Sequence, residues 1–221
     1  MEGMLVRLRP VSEDDYGRLP TWTRHSAAGV LVGGGQSDGL DAAGWRSAIE
    51  SGHTEYAAIE TRIDGETIGM VSWRPLAHDR SFAVGAVVGD DQWWDSGAGL
   101  EGALLLVDHL FQRERAHRLE LLAACYNRRS VAFLAKGDLV VDGVLRDYLY
   151  VDGGYHDAVI CSMNREEYLA PLDGYLPSLR LICDADADAA AGTLRRYLAG
   201  SGGDHLRGVL SDWRMPEAAH A

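Results

Sequence analysis

The chain has 221 residues, 47% hydrophobic and 24% charged, which is long enough to bury a real core and typical of a soluble globular protein. Its formal net charge of −12 argues against a general nucleic-acid binder, which needs basic residues to neutralise phosphates, and would help attract a cationic amine. No apolar run reaches the length of a membrane span, and the odd, widely spaced set Cys125, Cys161 and Cys183 argues against disulfides and against zinc.

Met1-Glu2-Gly3-Met4 leads into an alternating strand, Met4 to Pro10, rather than a signal peptide; with the cysteine usage, this makes a reducing cytoplasm the expected location. Ser12-Glu13-Asp14-Asp15 opens a helix with acidic residues in its first turn. Gly29 to Gly39, containing Gly33-Gly34-Gly35, reads as a loop, either a plain linker or a lid over a substrate. Asp41 to Ser51 suits a second short helix. Glu55 to Trp73 reads as a hairpin around Asp64-Gly65, a type I′ turn signal. Ser81 to Val88 is a strand, Leu100 to Arg115 a helix with a broad apolar face, Arg118 to Ala124 a strand, and Asn127 to Lys136 a helix. Leu145 to Val151 and Tyr155 to Met163 form a last hairpin around Asp152-Gly153.

The order β-α-α-β-β-β-α-β-α-β-β predicts an α/β (α+β) domain over residues 1–169. Its sheet is mixed and mostly antiparallel, with one β-α-β unit. Pro171 and Pro177 then punctuate a connector into an extension over 170–221, helical in part. That extension either caps the core or serves as a docking or dimerisation element, with Arg195, Arg196 and Arg207 suited to an acidic partner.

Between the strand at Ser81 and the helix at Leu100, the loop closes on Gly97-Ala98-Gly99. Strand, glycine turn and helix N-terminus make an anion site, because the backbone can approach a ligand and free N–H groups point at it. Gly97-Ala98-Gly99-Leu100-Glu101-Gly102 matches the dinucleotide fingerprint G-x-G-x-x-G, and Glu120 follows at about the right distance. The context differs, however. Residues 89–96 separate the glycines from their strand, and an antiparallel hairpin precedes them.

Three stretches resemble the GNAT acyltransferase superfamily, in particular the branch with ribosomal-protein alanine and spermidine acetyltransferases. Val84 to Ala103, VGAVVGDDQWWDSGAGLEGA, resembles its acyl-CoA strand and loop. Asn127-Arg128-Arg129-Ser130 resembles its N-x-x-S helix start, and Arg146 to Ser162 its closing hairpin, with Gly154, Tyr155 and Asp157 in place. The resemblance implies a twisted sheet with a central parallel splay that takes a pantetheine thioester. Backbone groups of Ala86, Val87 and Val88 would pair with the pantetheine amides, and Trp94, Asp95, Ser96, Gly97, Ala98 and Gly99 would hold the pyrophosphate. Asn127 would meet the pantetheine arm and Ser130 would lie near the thioester sulfur. From the residues alone, Asn127 and Ser130 are equally readable as helix caps, and Trp93 and Trp94 as loop packing.

The loop departs from the family pattern in charge. Ser96 stands where a basic residue is usual, and Asp90, Asp91 and Asp95 are all acidic. The resemblance implies acetyl-CoA or another acyl-CoA as the donor, and the acidic loop makes phosphopantetheine on an acyl carrier protein the alternative. A GNAT-like module that binds thioesters without turnover is a further alternative. Gly137-Asp138-Leu139 also departs, where a glycine followed by an aromatic residue is common. The acceptor is a small-molecule or peptide amine. An alkyl ammonium has a pKa of about 10.4 and must lose a proton before it can attack the thioester and form a tetrahedral intermediate. Ser130, with Tyr126 second, is the candidate acid towards the leaving thiolate. Glu120, His78, Asp79 or an unaided water chain could take the proton.

Overall fold

The computed structural model describes residues 1–23, 40–136, 139–151, 153–170 and 184–200. The loop expected at Gly29–Gly39, Gly137, Asp138, Asp152, Cys183 and Arg207 lie outside the described residues. By its internal contacts the chain divides into two compact units, Met1–Leu169 and Ala170–Ala221. In the second, a helix spans Asp184–Ala199 and carries exposed Arg195 and Arg196.

The first unit is built on seven strands: β1 (Val6–Pro10), β2 (Glu55–Thr61), β3 (Thr67–Pro75), β4 (Ser81–Val88), β5 (Arg118–Ala124), β6 (Val140–Val151) and β7 (Gly154–Asn164). They form one sheet in the order β1-β2-β3-β4-β5-β7-β6. Every neighbouring pair is antiparallel except β4 and β5, which are parallel. Among the described residues, the helices of this unit are α1 (Leu19–Thr23), α2 (Ala42–Glu50), α3 (Ala98–Gln112), α4 (Arg128–Lys136) and α5 (Arg165–Leu169). A doubly wound dinucleotide fold needs a run of parallel strands, so this sheet excludes it.

The strand period of two sorts the side chains onto two faces. On one face, Leu106, Leu110 and Phe111 of α3 pack on Ile59, Val71 and Leu119. On the other, Leu19 of α1 and Trp45 of α2 pack on Met70 and Val87. Trp45 and Phe111 are fully buried, each worth about 1.5–3 kcal/mol as apolar surface removed from water. Tyr168 of α5 stacks on Phe111 with ring centroids 4.6 Å apart. Burial, together with the neighbouring Asp108 carboxylate, pushes its phenol up to about 12.

A charge cluster ties the first turn to the sheet edge. Arg9 donates to Asp15 at 2.7 and 2.9 Å, to Glu60, and to Thr67 Oγ1 at 2.6 Å. Ser12 adds its N–H and its hydroxyl to Asp15 at 2.7 and 2.8 Å, starting the 3-10 turn Glu13–Asp15. Asp15 is only 2% exposed. Burial alone would raise its carboxyl, but the hydrogen bonds from Arg9 and Ser12 outweigh burial and hold it well below the usual range.

Two local expectations need correction. The β2–β3 turn is not type I′, which requires positive φ at two residues; Gly65 has φ +73° and Asp64 does not share it. The loop is instead closed by Thr61 N–H on Glu66 O at 2.8 Å and Gly65 N–H on Thr61 O at 3.2 Å. The Asp64 carboxylate accepts from Thr61 Oγ1 and from Glu66 N–H, so the aspartate works through its side chain. The second correction is that β6 begins at Val140 rather than Leu145. Its register shifts between Val141 and Gly143 and again between Leu145 and Leu149, which breaks the alternation that marks a strand.

Candidate functional site

The parallel pairing of β4 and β5 runs from Ser81 opposite Arg118 to Val84 opposite Leu121. Beyond that, Gly85–Val88 stay paired with β3 and Leu122–Ala124 with β7. The two strands therefore part, and a wedge opens in the middle of the sheet with unpaired backbone on both sides. Ala86 is exposed, Val87 buried and Val88 half-buried. An extended chain carrying amides fits such a wedge, because it can take up backbone hydrogen bonds that neither strand offers the other.

The loop after β4 forms the mouth of the wedge, and its residues carry distinct structural roles. Asp90 accepts from Gln92 N–H at 3.1 Å and from Gln92 Nε2 at 3.0 Å, capping the 3-10 turn Asp91–Trp93. Trp93 packs inward against the main core, whereas Trp94 is exposed and donates its indole N–H to Val88 O at 2.9 Å. Ser96 donates to Trp93 O at 2.7 Å and accepts the Ala98 N–H at 3.1 Å. Gly97 sits at φ +85°, a left-handed cap that favours glycine. A Cβ on Gly99 would stand 2.4 Å from Val88 Cγ2, so this glycine lets the helix start close against the strand end. The N–H groups of Gly97, Gly99 and Leu100 make no hydrogen bond to the described residues, and they stand at the positive end of α3. The loop can therefore hold an anion in addition to closing the wedge.

Asn127 and Ser130 begin α4 on the other side of the wedge. Asn127 Oδ1 accepts the Ser130 N–H at 3.2 Å, and the Asn127 carbonyl accepts from Val131. The cap uses one side-chain atom of Asn127; its Nδ2 and the Ser130 hydroxyl make no hydrogen bond to the described residues. Arg129, between them, reaches back to the loop. Its guanidinium lies 4.5 Å from the centroid of the Trp94 ring, and its Nε is 3.5 Å from Asp95 Oδ1.

Tyr126 and Glu120 lie on β5 or just beyond it, on the sheet face that carries α1 and α2. Tyr126 is 47% exposed and meets His156 edge-on at 4.9 Å. Glu120 lies beside Ala83 near the point where the strands part, and accepts from Arg118 Nε at 3.0 Å. Arg118 also holds Asp142 at 2.9 Å. His78 and Asp79 lie in the turn before β4, at the closed end of the wedge.

Three contributors escape a reading of local patterns. Glu101 looks like a fingerprint residue, but its carboxylate accepts the N–H groups of Met4, Leu5 and Val6 at 2.7, 2.7 and 2.8 Å. Burial would raise its carboxyl, and those three hydrogen bonds lower it instead. His156 is placed beside Tyr126 only by the β5–β7 register. Arg129 acts on a loop more than thirty residues away. Its one sequence signal is a basic residue in the first turn of a helix, where the dipole favours acids. Among the described residues, no group of three or more His, Cys, Asp or Glu could hold a metal ion, and no helix is long and apolar enough to cross a membrane.

Residues 6–139 match the family described as Acetyltransferase (GNAT) domain. Among solved structures, the chain is similar to the ribosomal-protein-S5-alanine acetyltransferase from Vibrio fischeri, at 16% identity over 76% of this chain and 97% of that one, TM-score 0.60. It is similar to the spermidine/spermine N-acetyltransferase SpeG from Vibrio cholerae, at 16% identity over 76% and 96%, TM-score 0.62. A GCN5-related N-acetyltransferase from Brucella melitensis aligns at 16% identity over 81% and 85%, TM-score 0.62. No curated protein matches the chain in sequence.

Proposed function

Because the chain belongs to the GNAT family of acetyltransferases and is an N-acyltransferase, we propose that its donor is acetyl-CoA or another acyl-CoA and its acceptor an amine on a small molecule or peptide. The observation that carries this reading is the wedge between β4 and β5, with the amides of Gly97, Gly99 and Leu100, unbonded among the described residues, at its mouth. The backbone of Ala86, Val87 and Val88 pairs with the amides of the pantetheine arm. Residues 94–99 face the anionic end, and Asn127 Nδ2 reaches the arm while its Oδ1 keeps the helix cap.

The donor supplies an activated acyl group, and the protein's residues handle position and protons. Glu120 takes the proton of the incoming ammonium through a water. Ser130 offers its hydroxyl to the departing sulfur, with Tyr126 as the second group. Backbone N–H near Val87 supports the negative charge that develops on the acyl oxygen. The net charge of −12 draws in a cationic amine, which suits a polyamine or a peptide N-terminus.

Thiol release from acetyl-CoA, followed against a panel of such amines, tests the reading. Amine-dependent release is expected. Failure to bind CoA at high micromolar concentration, alongside binding of an acyl carrier protein, would replace the donor. Exposed Arg195 and Arg196 on the Asp184–Ala199 helix are the observation that keeps a carrier protein as the second reading, since they suit an acidic partner.

A further inference from the structure

We propose that Arg129 is the phosphate clamp of this site, resting on the donor reading above, and that Asp95 is the counter-ion the phosphate displaces. The loop at the mouth of the wedge brings Asp90, Asp91 and Asp95 and no base of its own, so an anionic ligand needs a cation from elsewhere. Asp90 is occupied by the backbone and side chain of Gln92. Asp95 is held by Arg129, across the mouth from α4.

The form of that contact marks it as exchangeable. Arg129 Nε and Asp95 Oδ1 are 3.5 Å apart, and the aspartate side chain is 84% exposed. Water screens such a pair, and it adds little to stability. The stack on Trp94 is the firmer hold. It fixes the plane of the guanidinium, whose outer N–H edge has no partner among the described residues and can make a two-point contact with phosphate. Trp94 is itself anchored on Val88 O at the end of β4, and Asp95 lies two residues before the free amide of Gly97. The cation therefore stands where the anion-binding backbone is.

The placement also has a cost at the helix itself. Arg128 and Arg129 fill the first turn of α4, which holds no acidic residue, and cations at a helix N-terminus oppose the dipole. The stack on Trp94 and the pair with Asp95 hold Arg129 there, and a phosphate in place of Asp95 would offset the dipole more fully. The ligand chemistry is a phosphate at the far end of a pantetheine arm, brought as the diphosphate of CoA or as the single phosphate of a carrier-held arm.

Isothermal titration of the full chain with inorganic pyrophosphate, CoA and 4′-phosphopantetheine reads the clamp without turnover. Arg129→Gln should weaken CoA and pyrophosphate about tenfold, the size of a charge-assisted hydrogen bond, and Arg129→Lys should recover part of it. Asp95→Asn should tighten both. A larger loss for CoA than for 4′-phosphopantetheine assigns the diphosphate, and equal losses assign the single phosphate. In turnover, Arg129→Gln should raise KM for acetyl-CoA relative to KM for acetyl-pantetheine, which carries no phosphate. The clamp is overturned if wild type does not bind pyrophosphate, if Arg129→Gln binds CoA within about twofold of wild type, or if Asp95→Asn weakens binding. A wild-type chain that binds CoA through Arg129 yet releases no thiol with any amine overturns the transferase reading and leaves the clamp standing.

Discussion

In the proposed reading Asn127 both caps α4 and meets the donor, whereas the Ser130 hydroxyl serves the chemistry alone, and chosen substitutions separate these roles. Asn127→Ser keeps an oxygen for the Ser130 N–H but removes the amide Nδ2. It should leave thermal stability within a few tenths of a kcal/mol, since serine and asparagine cap about equally well, while donor KM rises. Asn127→Ala loses both roles and should also cost about 1 kcal/mol of stability. A donor KM that does not respond to Asn127→Ser would remove the side chain from donor binding. Ser130→Ala removes a hydroxyl with no partner among the described residues, so it should fold normally. Its kcat should fall about tenfold, below the full range of general acids because a neutral serine is a weak one; unchanged turnover would end that role. At the loop, Gly99→Ala puts a methyl 2.4 Å from Val88 Cγ2 and should destabilise by about 1–3 kcal/mol, read from the shift in Tm. The glycines and the N-x-x-S start are legible as residues because their chemistry is local. Arg129 is not legible, because its partners Trp94 and Asp95 are brought to it only by the fold.

At the scale of elements, the 3-10 turn at Glu13–Asp15 is held by charge rather than by apolar packing. Arg9→Met should cost about 3 kcal/mol or more, because it leaves the Asp15 carboxylate buried without its cation. The same cluster sets an acid limit. The Asp15 carboxyl is depressed by Arg9 and Ser12 against the effect of burial, and that of Glu60 by Arg9 and Arg7. Their contribution is fully present above the unfolded carboxylate pKa of about 4 and is lost as pH falls through the lower folded values. Tm should drop steeply below about pH 4 in the wild type and less steeply in Arg9→Met; parallel curves would show that the cluster does not set the acid limb. Regular elements such as β4 and β5 can be read to the residue, since Ser81–Val88 is a nearly unbroken apolar run and Arg118–Ala124 alternates charged and apolar residues before an apolar end. The first half of β6 cannot, because Asp142 and Gly143 interrupt the alternation where the register shifts between Val141 and Gly143.

At the scale of the molecule, the chain order of elements was enough to place the one parallel pair, because a single β-α-β unit follows a run of antiparallel strands. The order of β7 and β6 beyond β5 is a long-range choice and needed the structure. We expect residues 1–169, expressed alone, to retain the sheet and to bind CoA; loss of cooperative unfolding in that fragment would make the remaining residues part of the same folding unit. The sheet has two outer strands, and they meet solvent differently. Strand β1 is partly covered by its own preceding turn, with Gly3 N–H on Val6 O and Leu8 N–H on Met1 O, both at 2.8 Å. Strand β6 exposes Val141, Val144, Tyr148 and Tyr150, a composition that invites pairing with another chain. Asp147, at φ +52°, sits within a register shift there and turns its N–H to Asp157 Oδ1 at 2.9 Å instead of outward. That kink shortens the straight ladder available to a stranger's strand, so an irregularity within β6 guards the protein against fibril growth at its own edge.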